Sequence, residues 1–264
     1  MNDGGVIGRP DAGVVEPQSV LQLGKIAEPV GPHRGRLPPG AYGIETVGME
    51  MQGLWRTATL AALPSTVTRI VAPALTALGS RHPQLTVTCS ITDQAQLREL
   101  ALGTVDVVLG QRYHHLPDTT PRGIDVSPLL DDPLLVVTAA GRGDDRPVAL
   151  RELATPPLAV PPPNTECGQA VLQGCRQAGF TPVPRYVTAD IAAQLTLARS
   201  GLATALVPRT AIDPATPGIR AVPIADLPVQ RLLFAATPHT ENANPTTTAV
   251  IAALRTAARE GHTA

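Results

Sequence analysis

From Trp55 onward, short apolar runs bounded by turn residues alternate with amphipathic stretches, the texture of strands interleaved with helices. Trp55 to Leu60 reads as a first strand. Behind it, Val67, Ile70, Val71, Ala74, Leu75 and Leu78 fall at i, i+3, i+4, i+7, i+8 and i+11, one face of a helix that Ser65 or Thr66 can cap and Arg81-His82-Pro83 ends. Leu85, Val87, Cys89 and Ile91 alternate with polar partners and predict a half-buried strand; Thr92-Asp93 then caps a helix through Leu102. Gly103 stops that helix, and Val105 to Leu109 is a buried strand that completes a β-α-β-α-β unit.

A loop holding Tyr113, His114 and His115 leads to two extended pieces, Val126 to Leu130 and Leu134 to Ala139, interrupted at Asp131-Asp132-Pro133. A second unit follows: strand Leu158 to Val160, a helix from about Glu166 to Ala178, strand Val183 to Val187, a helix from Asp190 to Arg199 and strand Ala203 to Val207. Ile219 to Val222 and Arg231 to Ala236 add two strands, and Pro245 at an N1 position starts a last helix to about Glu260. Residues 1–52 differ in kind. They hold ten glycines and six prolines, show no sustained period of 3.6 or 2, and predict a flexible arm with room for a short helix only between Val14 and Ile26.

Composition narrows the function classes. With 21 basic and 22 acidic residues the net charge is −1, not the basic footprint of an autonomous nucleic-acid binder. Cys89, Cys167 and Cys175 lack C-x-x-C spacing, so neither a disulfide framework nor a zinc site is indicated and the expected compartment is reducing. The start has no basic n-region or apolar h-region, and no run approaches ~18 apolar residues, so a soluble cytoplasmic protein without a membrane partner is expected. Gly-x-Ser-x-Gly, the P-loop and Gly-x-Gly-x-x-Gly are all missing, and His114-His115 are adjacent, not spaced as metal ligands. No cofactor or metal is predicted, and an enzyme is the reading ranked last.

Several short motifs occur in a fixed order. They are Ile70-Val71-Ala72-Pro73, Arg81 to Leu85, Thr92-Asp93 followed by Leu97, Leu100 and Gly103 to Asp106, Ser127 to Val137, Gln177-Ala178-Gly179-Phe180, and Ser200 to Pro208. Together they resemble the effector-binding domain of LysR-type transcriptional regulators, over about Gly53 to Arg259. The resemblance implies an α/β, two-lobed type II periplasmic-binding-protein-like fold with two crossover hinge strands. Lobe I would comprise 53–132 and 237–264 and lobe II 133–236, with hinges at Asp132 to Leu134 and Phe234 to Thr237. It further implies a small-molecule effector in the cleft and a homodimer whose lobe faces pair antiparallel. Residues 1–52 are too short and too rich in Gly and Pro for the family's winged helix-turn-helix and linker helix. DNA contact is therefore expected only through a reader domain not evident in this chain, as in a truncated or frameshifted form. The other reading of the same fold is a solute-binding protein unrelated to transcription.

The resemblance also points to residues. Helices that begin directly after strands aim their first N–H groups and positive dipole ends at the cleft. Ser65, Thr66, Thr92, Asp93, Gln111, Thr165, Cys167 and Asp190 occupy positions that contact effectors in the family, although Ser, Thr and Asp are also ordinary N-caps. Asp93 and Asp190 put two carboxylates at the cleft with no Lys or Arg in that set, which predicts a neutral or amine-bearing effector. Cys167 near a helix start admits a lowered thiol pKa and a redox role, against the plainer reading of a small, partly buried cleft residue.

Overall fold

The computed structural model describes residues 57–92, 97–213, 215–239 and 244–263; the expected arm over 1–52 lies outside the described residues. In the first lobe, β1 (Thr57–Ala62) runs parallel to both β2 (Thr86–Ile91) and β3 (Val107–Tyr113). Side chains of β1 alternate between two cores. Ala58, Leu60 and Ala62 enter the larger one, and Ala61 enters the smaller one on the opposite face.

The connection from β1 to α1 (Ala72–Arg81) departs from the expected capped helix. Pro64–Thr66 form one tight 3-10 turn and Val67–Val71 a wide π turn before the α-helix begins. Pro73 has no N–H for the Arg69 carbonyl and its ring crowds that carbonyl, so the chain widens just ahead of it. Neither Ser65 nor Thr66 caps. The periodic apolar face still does its work, because Ile70, Val71, Ala74 and Leu78 are buried against Val250, Leu254 and Ala258 of α5 (Pro245–Thr263). Each fully buried aliphatic side chain of this kind stabilises by about 1.5–3 kcal/mol. On the other face α2 (Leu97–Ala101) seats Leu100 beside Val105, Val108 and Phe234.

The two expected extended pieces are a single strand, β4 (Ile124–Ala139), 16 residues long with a register shift between Pro128 and Leu130. Residues 124–133 pair antiparallel with β9 (Gln230–Pro238), which in turn pairs with β3. From Leu134 onward β4 pairs instead with β7 (Thr204–Pro208) and β8 (Ile219–Val222). One strand thus serves both lobes. Asp131-Asp132-Pro133 do not interrupt it, since Asp132 sits opposite Arg231 in register and its charge is matched there. The return strand β9 lies between β3 and the first part of β4, antiparallel to both.

In the second lobe β5 (Leu158–Val160) lies parallel between β6 (Pro184–Val187) and β7. The full order is β2-β1-β3-β9-β4-β7-β5-β6, with β8 on β4. Helix α3 (Glu166–Gln177) buries Ala170, Val171 and Cys175 on one face with Leu134, Leu150 and Leu206. Helix α4 (Ile191–Arg199) covers the other face, where Ala198 meets Val137, Ala159 and Val207. Helices on both faces explain why β5 and β7 are near-continuous apolar runs. Two single turns, Leu150–Ala154 and Arg209–Ala211, are too short to show a period in sequence. No helix among the described residues is long and apolar enough to cross a membrane.

Candidate functional site

Chain segments leaving β1, β5, β6 and β7 surround a cavity of about 740 Å³ between the lobes. Its position follows the general rule that α/β sheets bind ligands beyond the carboxyl ends of parallel strands. The β1–α1 turn contributes Leu63, Pro64, Ser65 and Thr68, β3 contributes Gln111, and the start of β9 contributes Arg231. From the second lobe come Asn164 to Cys167, Asp190 to Ala192, Gln194, Pro208 and Ala211.

Two helix starts form one wall. Thr165 Oγ1 accepts from the Gly168 N–H at 3.1 Å, and its own proton goes to the Pro162 carbonyl at 2.7 Å. The turn is tight enough to exclude any side chain at 168, where a Cβ would lie 2.0 Å from the Pro162 carbonyl oxygen. Asp190 caps α4, with Oδ1 accepting from the Ala192 and Ala193 N–H groups at 2.8 and 3.3 Å. Gln194, buried one turn later, donates to the Thr188 carbonyl and fixes the β6–α4 connection.

Arg231, which lines the cavity, belongs to a buried ion pair. Arg231 and Asp132 are only 3% and 1% exposed, so desolvation of both charges must be offset by hydrogen bonds. It is offset fully for the carboxylate. Asp132 Oδ2 accepts from Arg231 Nε at 2.8 Å and the Thr210 hydroxyl at 2.7 Å, with Arg231 Nη2 2.7 Å away as an ion-pair contact, while Oδ1 accepts from the Thr210 N–H at 3.1 Å. Arg231 Nη1 donates to Gln111 Oε1 at 2.7 Å, and Nη2 donates to Ser65 Oγ at 3.0 Å and Thr210 Oγ1 at 2.9 Å. Burial alone would lower the guanidinium pKa, but the Asp132 carboxylate together with Tyr113 and Cys167 outweighs it and holds Arg231 above the ordinary arginine range. Ser65 and Gln111 belong to the first lobe and Thr210 to the second, so this one cation touches both.

Beside it, burial pushes the Cys167 thiol up despite the nearby Tyr113 hydroxyl and Arg231. A thiolate favoured by its helix start is therefore not what the site provides. Burial also raises the Cys89 and Cys175 thiols to about 11. Tyr113, the last residue of β3, inserts into the second lobe's core; burial first, and then the neighbouring Cys167 thiol, hold its hydroxyl well above the usual phenol range. Glu166 is exposed, yet the wall desolvates its carboxyl enough to raise it.

Of the residues expected from sequence, Ser65, Gln111, Thr165, Cys167 and Asp190 line this one cavity. Thr66 does not, being fully buried with its hydroxyl donating to the Leu63 carbonyl at 2.7 Å. Thr92 is likewise not among the lining residues, and Asp93 lies outside the described residues. The expectation of a cleft with no basic residue is corrected by Arg231.

The family profile of the LysR substrate binding domain matches residues 52–259. The chain belongs to that family. No curated protein sequence matches it. Among solved structures it is similar to the BenM effector binding domain with its effector benzoate, with a TM-score of 0.67 and 19% identity over 79% of this chain and 95% of that one. It is also similar to the C-terminal domain of a probable LysR family transcriptional regulator from Rhodococcus sp. RHA1, with a TM-score of 0.64 and 23% identity over 75% and 98% of the two chains. The reduced form of OxyR from N. meningitidis gives 0.61 and 18% over 76% and 95%. These likenesses show a common fold, the two-lobed periplasmic-binding-protein-like architecture of LysR domains. Such domains are sensors, not enzymes. Sequence reasoning about this LysR domain missed Arg231 and Asp132: Arg231 is the one charge in β9, but Asp132 is one of three aspartates in β4, and only their pairing in register singles it out.

Proposed function

We propose that this chain is the effector-sensing and oligomerising domain of a LysR-type transcriptional regulator. A small molecule would be held between the lobes by Ser65, Gln111, Thr165, Cys167 and Asp190 together with Arg231. The observation that carries the reading is the cavity of about 740 Å³ whose base is a buried cation bonded to both lobes. A ligand contacting Ser65, Gln111 and the α3 and α4 starts links the lobes through that cation, and its binding energy changes their relative angle and so the packing of subunits. In this proposal the chain acts in the cytoplasm as a homodimer, without a membrane partner.

Thermal-shift screening of the purified chain against a library of small metabolites tests the ligand half of this reading. A ligand at about 100 times its Kd stabilises by about 2.7 kcal/mol, or roughly 5–10 °C for a domain of this size. Hits are expected to lose their shift in Ser65→Ala and Gln111→Ala variants. Sedimentation of the chain alone and two-hybrid pairing with a full-length LysR regulator test the other half. Loss of both ligand shifts and self- or partner association would overturn the proposal, whereas ligand shifts without any association would favour a solute-binding role.

A further inference from the structure

The hydrogen bonds at the base of the cavity fix which atoms its polar side chains present. A guanidinium can only donate, so the Gln111 amide must turn its oxygen toward Arg231 Nη1, and its NH₂ group is the part left for the cavity. Ser65 Oγ accepts from Arg231 Nη2, and its own proton has no acceptor among the described residues. Arg231 Nη1 carries two N–H bonds, of which Gln111 takes one. These three side chains all line the cavity, so its base offers donors from a single cluster with a cation behind it. The lining contributed by the starts of α3 and α4 has the reverse polarity. Asp190 and Glu166 both line the cavity, and neither forms an ion pair among the described residues; the only lining cation is already matched by Asp132.

We infer that the cleft takes a small zwitterion, an amino acid in the broad sense, with its carboxylate on Ser65, Gln111 and Arg231 and its amine facing Glu166 and Asp190. The inference rests on the cleft being the effector site and sharpens its ligand class. A carboxylate supplies the acceptors that the base lacks, and an ammonium group supplies the charge that the outer wall lacks. A simple carboxylic acid would meet two uncompensated carboxylates at the wall. A simple amine would leave the donors at the base without acceptors.

The test is calorimetric titration of the full chain with the α-amino acids and short ω-amino acids, each beside its des-amino acid and its decarboxylated amine. At least one zwitterion is expected to bind, with both truncated partners weaker by about tenfold or more. Gln111→Glu, which keeps the bond to Arg231 but turns an acceptor toward the ligand, is expected to weaken that zwitterion by about tenfold or more. Asp190→Asn is expected to narrow the gap between the zwitterion and its des-amino acid. Equal binding of a one-ended partner, no binding by any zwitterion, or no effect of Gln111→Glu would overturn the inference. Hits from the metabolite library that still depend on Ser65 and Gln111 would then leave the effector site standing; a cleft that binds nothing would remove both.

Discussion

Removing the counterion of Arg231 is expected to be among the most damaging single changes in the described structure. In Asp132→Asn the side-chain volume is kept, but one acceptor oxygen becomes an NH₂ group facing N–H donors, and a buried guanidinium is left with no opposite charge. Four contacts are at stake, from Arg231 Nε and Nη2 and from the Thr210 N–H and hydroxyl, all between 2.7 and 3.1 Å. Breaking a buried pair from one side typically costs about 3–5 kcal/mol. For a domain of this size that is a fall in Tm of roughly 6–20 °C. Urea denaturation followed by circular dichroism measures it, provided the m-value is unchanged. Arg231→Met should cost less, because Thr210 still satisfies two lone pairs of Asp132. The double variant should cost at least about 1.5 kcal/mol less than the sum, since the orphaned charge of each single variant is removed with its partner. Single changes below about 1 kcal/mol, or costs that add within about 0.5 kcal/mol, would refute the view that this pair is a coupled unit.

Three further outcomes are expected. Gly168→Ala should destabilise by about 1–3 kcal/mol or more, because its Cβ would meet the Pro162 carbonyl oxygen at 2.0 Å; an unchanged Tm would show that the β5–α3 turn yields freely. Tyr113→Phe should be neutral or stabilising by up to about 1 kcal/mol, since among the described residues its buried hydroxyl has only the weakly bonding Cys167 thiol beside it, and a clear loss in urea melts would mean that the hydroxyl is well bonded. Thiol labelling should be slow at neutral pH and quicken only above pH 9, as burial raises Cys89, Cys167 and Cys175. Fast single-site alkylation at pH 7 would restore the redox reading of Cys167.

Most helices and strands were legible because each carries its own period. Val67 to Leu78 buries the stripe that spacing alone defines, and Gly103, at φ +71°, ends α2 as the pattern requires. Local patterns misled where a distant residue decides the outcome. Asp131-Asp132-Pro133 reads as a break until Arg231, 99 positions away, lies opposite and neutralises Asp132. Thr66 reads as a cap until Pro64 and Pro73 shift the hydrogen-bond register and turn its hydroxyl back to Leu63. The site shows the same division. Ser65, Thr165 and Asp190 were found because strand–turn–helix order brings such residues to strand ends, whereas the cation at the base sits on a strand with no local mark of function.

The place of β9 between β3 and β4 has a consequence for synthesis. The second lobe runs unbroken from about Leu134 to Val229, and its strands and helices can pair as soon as that stretch has left the ribosome. The first lobe waits for the end of the chain: its β3 and β4 share no ladder until residues 230–238 arrive between them, and its larger core stays open until α5 docks. Through that interval the edges of β3 and β4 and the apolar face of α1 are bare, and chains halted before residue 230 should be captured by chaperones or aggregate. The Arg231 that completes the cleft is among the first residues to end that exposure, so the pocket and the safe burial of the first lobe come into being together.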